Sequence, residues 1–89
     1  MTNVENTLEQ RGSRYGDFVD QGRITQNIKR AMRDGTKWES LSDDKKEALE
    51  MIASKISRIL NGDPEYWDSW HDIAGYASLA EKKCQSQPE

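Results

Sequence analysis

Apolar residues in this chain recur at helical spacing, and no segment alternates as a half-buried strand does, so the pattern predicts an all-α protein. The surest helix opens after Ser42, a suitable N-cap, with Asp43 and Asp44 in the first turn. Leu49, Ile52, Ala53, Ile56, Ile59 and Leu60 follow at i, i+3, i+4, i+7 spacing, with the core stripe centred between Leu49, Ile56 and Leu60. Asn61-Gly62 ends it, and Gly62 suits the left-handed residue that follows a helix. An earlier helix runs from about Phe18 to Arg33 on a narrow stripe of Ile24, Ile28 and Ala31, with Met32 alongside. Lys29, Arg30 and Arg33 sit in its last turns, where the helix dipole favours cations.

Two further helices complete the reading. Thr7 and Gln10 form a capping box that opens a short N-terminal helix ending near Gly12, followed by a loop over "RGSRYGDF". Asp63-Pro64 restarts the chain after Gly62, with Asp63 as cap and Pro64 at the first helical position, and that helix reaches about Lys83. The expected organisation is a disordered start over 1–6, one helical domain over 7–83 and a disordered tail over 84–89.

Composition sharpens the picture. With 89 residues, 34% hydrophobic and 33% charged, a monomeric core is marginal, so the helices are expected to complete a bundle in a homodimer or higher homo-oligomer. A net charge of −3 gives no attraction to duplex DNA and is too weak for a DNA mimic. The single cysteine, Cys84, excludes a disulfide framework and fits a reducing cytoplasm. No apolar run spans a membrane, and "MTNVENTLEQRG" is not a signal peptide.

The candidate chemistry concentrates in "EYWDSWHDIAGYA", residues 65–77, which holds Trp67, Trp70, Tyr66, Tyr76 and the lone His71. Asp68 and Asp72, four apart, share a helix face and repel unless neutralised. Alternatively Ser69 and Asp72 form a capping box of their own, and both acids are structural. On the preceding helix Glu47, Met51, Ser54 and Arg58 point away from the expected core, with Glu50 at its edge. This is a solvated face unless another chain covers Met51, in which case Glu47 and Glu50 need Lys55, Arg58 or a cation as partner. If the two helices pack antiparallel, Glu47, Glu50, Asp68 and Asp72 converge into an all-oxygen site suited to Mg²⁺ or Mn²⁺. Zinc is disfavoured with one histidine and one cysteine, and His71 has no partners for a nucleophilic triad. "GSRYG" lacks the G-K-[ST] of a phosphate loop, yet Arg11 and Arg14 there can reach a phosphate and Tyr15 can stack on a base. Trp67, Trp70 and Tyr76 read as packing, and Gly75 as a point of close helix approach.

The segments "RGSRYGDF", "EALEMIASKISRILNGDP" and "DSWHDIAGYA", in this order, resemble a family of small phage and prophage proteins of uncharacterised function over about residues 7 to 83. That family more distantly resembles the all-α nucleoside triphosphate pyrophosphohydrolases of the MazG and dimeric dUTPase type. These carry an E-E-x-x-E motif on one helix and E-x-x-D on the next, and the acids hold Mg²⁺ on the substrate phosphates. The resemblance implies Glu47 and Glu50 as catalytic metal-binding acids, Asp72 as the final acid, and Asp68 in place of the second motif's glutamate, shifted by one residue. Lys55, Arg58, Arg14 and Tyr15 would meet a nucleotide. Lys46 replaces the first acid of the first motif, and Ser69 stands where the second motif's glutamate belongs. The expected function is a MazG-like nucleotide-binding protein, with Mg²⁺- or Mn²⁺-dependent pyrophosphohydrolysis in phage nucleotide metabolism, in the host cytoplasm. The alternative is a non-enzymatic accessory module that binds a host protein or sequesters a nucleotide.

Overall fold

The computed structural model describes residues 3–84, apart from the side chains of Asn3, Glu5, Arg11 and Ser13. Four α-helices follow in order: α1 (Asn3–Tyr15), α2 (Phe18–Arg33), α3 (Asp43–Asn61) and α4 (Trp67–Lys82). A single 3-10 turn over Trp38–Ser40 interrupts the α2–α3 connection, and no strand occurs among the described residues. The all-α expectation holds.

α2 and α3 start and stop where the sequence places them. Asp17 caps α2 through its side chain, which accepts from the Val19 N–H at 3.3 Å. Ser42 precedes α3, and Asp43 and Asp44 occupy its first turn.

α1 and α4 differ from expectation. α1 begins at Asn3, so residues 3–6 are helical, and Thr7 lies inside the helix rather than at its cap. It also continues through Gly12 to Tyr15, and only Gly16, at φ 81, breaks it. Helix-forming neighbours such as Leu8, Glu9 and Gln10 outweigh the cost of one interior glycine, about 1 kcal/mol. α4 opens at Trp67 rather than Pro64. Asp63 instead closes a tight turn, accepting from the Glu65 N–H at 2.9 Å through its carboxylate and from the Tyr66 N–H at 3.2 Å through its carbonyl. Ser69 is therefore not a cap: it is buried within α4. Residues 85–89 lie outside the described residues, and Cys84 is exposed.

α3 is the central element, packed against α2 on one side and α4 on the other. Ala48, Lys55 and Ile59, at i, i+7 and i+11, line the α4 side, and Ala53 and Ser57 line the α2 side. The expected stripe is thereby corrected: Leu49 is 40% exposed and Leu60 68% exposed. The buried apolar residues among those described are Trp38, Ala48, Ala53 and Ile59. Trp38 comes from the connection, where no periodicity announced it.

Polar groups occupy the α2–α3 contact. Thr25 and Ser57, both buried, bring their hydroxyls within 2.5 Å. Each also reaches the carbonyl one turn back, Gln21 at 2.9 Å and Ser54 at 2.7 Å.

Candidate functional site: a cation–tyrosine cluster

The end of α1 is fastened beside the end of α3 by backbone groups. Asn61 donates from its side-chain amide to the Tyr15 and Asp17 carbonyls, both at 2.9 Å, and the Asp63 N–H donates to the Arg14 carbonyl at 2.6 Å. Glycine at 62 is required by this approach, because a side chain there would strike the Arg14 carbonyl. Its φ is −123°, so the left-handed role expected of Gly62 belongs to Gly16.

This junction brings together residues far apart in sequence. The Arg58 guanidinium lies 4.6 Å from the Tyr15 ring centroid, and the Arg14 guanidinium 4.8 Å from that of Tyr66. The two tyrosine rings meet edge to face at 6.3 Å. Arg14 Nη1 also donates to the Tyr66 hydroxyl at 3.3 Å. Arg58 Nε is buried and finds no hydrogen-bond acceptor among the described residues. A guanidinium over a ring presents its edge donors to paired oxygens of a carboxylate or phosphate.

Beside the cluster, Lys55 Nζ lies 2.9 Å from Asp72 Oδ2. Lys55 is buried along its stem, and the pair crosses the α3–α4 contact. The Lys55 hydrogen bond holds the Asp72 carboxyl below the ordinary carboxylate range, against the opposing effect of desolvation, and the charges of Lys55, His71 and Arg58 act in the same direction.

The acids proposed for a metal take separate positions. Glu50 pairs with Lys29 of α2 at 3.7 Å, and Asp72 with Lys55 on the other side of α3. Glu47 is exposed, and Asp68 is half-buried in the first turn of α4, where the helix dipole accommodates it. No group of three or more His, Cys, Asp or Glu side chains is poised for a metal ion among the described residues. The Arg11 side chain lies outside the described residues.

Sequence reasoning anticipated Arg14, Tyr15, Lys55 and Arg58 and missed Tyr66, which touches three of its neighbours: Arg14, Tyr15 and Trp67. Trp67 is exposed and contacts His71 edge to face at 5.7 Å. Gly75 does not mark close packing, since a Cβ there meets nothing within 4 Å. It lines a shallow cleft of about 290 Å³ with His71, Asp72, Tyr76 and Leu79.

Fold and cluster together define a small all-α protein built as a layer of helices, with a cation–tyrosine junction at one end. The chain belongs to the family described as domain of unknown function (DUF6378), whose model matches residues 1–84. No curated protein matches it, and no solved structure does. No helix among the described residues is long and apolar enough to cross a membrane.

Proposed function

We propose that the protein binds the phosphate groups of a nucleotide at the junction of α1, α3 and α4. The observation that carries this reading is the clustering of Arg14 and Arg58 on the faces of Tyr66 and Tyr15, beside the Lys55–Asp72 pair. Two guanidinium groups and an ammonium supply charge-assisted donors for phosphate oxygens. The tyrosine rings offer an apolar surface against which a base stacks.

The competing account of the cluster is mechanical. Cation–π contacts of about 0.5–1 kcal/mol each would then serve only to hold α1 against α3. Titration of the purified chain with ribo- and deoxyribonucleoside triphosphates, followed by calorimetry, separates the two. Saturable binding that Arg58→Gln weakens tenfold or more supports the nucleotide reading. Absence of binding to every triphosphate, with Arg58→Gln altering only the melting temperature, leaves the mechanical role.

Hydrolysis is the further step that the MazG resemblance suggests, with Glu47, Glu50, Asp68 and Asp72 as ligands of Mg²⁺ or Mn²⁺. The present arrangement does not form that site: Glu50 would have to leave Lys29, and Asp72 would have to leave Lys55. The test is incubation with each triphosphate and Mg²⁺ or Mn²⁺, with products resolved by mass spectrometry. Monophosphate plus pyrophosphate, abolished by Glu50→Ala, would establish catalysis. Binding without turnover supports the alternative of a non-enzymatic module that sequesters a nucleotide.

A further inference from the structure

The helical layer has two unlike faces. Viewed along α3, Glu47, Met51, Ser54 and Arg58 lie on one side, and Leu49, Ile56 and Leu60 on the other. On α4, Asp72 meets Lys55 of α3, and the flank opposite Asp72 carries Trp70, Ile73 and Ala77, with Glu81 at its far end. On α2, the flank away from Lys29 carries Ile24 and Ala31. The second face is thus apolar along α3 and the adjoining flank of α4, while on α2 Asp20 and Asn27 share the flank of Ile24 and Ala31, and α3 contributes no charged residue to it between Leu49 and Leu60.

Exposure along this face is high: Leu60 is 68% exposed, Trp70 55% and Leu49 40%. Trp70 donates its one polar atom, Nε1, to the Pro64 carbonyl at 2.8 Å, so what it turns outward is apolar ring.

We infer that this face is the interface with a second copy of the chain, packed layer on layer about a two-fold axis near Ile56. Area supports the choice of occupant. The chain exposes 6775 Å², whereas a compact monomer of 10.2 kDa exposes about 5,300 Å². The excess, roughly 1,500 Å² over the whole chain, is large enough to include the ~800 Å² per partner of a standard stable interface. The elongated outline agrees: the radius of gyration is 15.5 Å, against about 12 Å for a compact domain of this length. Charge supports it too. A chain of net charge −3 repels its own copy least through a face free of carboxylates at its centre. An isologous contact also needs a self-complementary patch, and a continuous aliphatic stripe meets that need.

The test is sedimentation velocity of the full chain at tens of micromolar. The expected mass is twice 10.2 kDa. Leu60→Glu places a carboxylate in the interface and is expected to raise the dissociation constant at least ~100-fold, giving monomer with unchanged helical circular dichroism. Glu47→Ser, on the opposite face, leaves the mass unaltered. In a Cys84→Ser background, cysteines placed singly at Leu49, Ile56 and Leu60 report the axis, and at least one links two chains on mild oxidation while Glu47→Cys does not. A monomeric wild type overturns the inference. So does an oligomer whose mass survives Leu60→Glu and whose cysteines at these three positions fail to link.

Discussion

Lys55 and Asp72 meet at 2.9 Å across the α3–α4 contact, and the pair joins a buried lysine to the helix that carries Trp67 and Trp70. Removing the carboxylate strands that ammonium in a desolvated place, so Asp72→Asn is expected to lower the melting temperature at pH 7. The pH dependence has a definite sign. Asp72 titrates below its unfolded value of about 3.9, so its contribution is full above that value and disappears as pH falls through the lowered one. Thermal melts from pH 2 to 7 should show a constant gap between wild type and variant at pH 5 to 7, closing below pH 4. A gap of the same size at pH 2 would contradict the assignment.

The hydroxyls of Thr25 and Ser57 lie 2.5 Å apart where most helix pairs place aliphatic groups. Ser57 is wholly buried, so Ser57→Ala leaves Thr25 with one partner fewer and no access to water. The expected cost is about 1–3 kcal/mol. For a domain of this size each kcal/mol lowers the melting temperature by about 4–8 °C. Thr25→Val with Ser57→Ala should cost less than the sum of the single changes. Strict additivity in a double-mutant cycle would show that the two groups are independent.

Two glycines should respond in opposite directions to alanine. Gly75 lies inside α4 with nothing within 4 Å of an added Cβ, so Gly75→Ala should stabilise by about 0.4–1 kcal/mol. Gly16 has φ 81, and an added Cβ would strike the Asn61 carbonyl. Gly16→Ala should therefore destabilise by about 1–3 kcal/mol. Chemical denaturation of both variants measures the signs directly, and stabilisation by Gly16→Ala would mean that the α1–α2 corner is built differently.

Asn61 holds α1 in place through two carbonyls, those of Tyr15 and Asp17. Asn61→Ala should loosen α1 by about 1–2 kcal/mol while leaving α3 and α4 paired. Hydrogen exchange read by mass spectrometry should show faster exchange in peptides covering residues 3–15 and none in those covering α4. Uniform acceleration across the chain would identify Asn61 as part of the global core instead.

The sequence alone determined the helical class, the bounds of α2 and α3, and the short connection that pairs α3 with α4. Those features rest on caps, first-turn acids and periodicity, which act within a few residues. It also marked Arg14, Tyr15, Lys55 and Arg58, although nothing local linked Arg14 to Tyr66, 52 residues away. Tertiary structure decided which side of α3 is inside. A helix flanked on two opposite sides buries small and polar residues such as Ala53 and Ser57 where neighbours come close, and leaves its strongest apolar stripe, Leu49, Ile56 and Leu60, between them. Hydrophobic periodicity says that a stripe is to be covered, but not by which chain. Tertiary structure likewise assigned Glu50 to Lys29 and Asp72 to Lys55, because a carboxylate's partner is set by the helix that happens to face it.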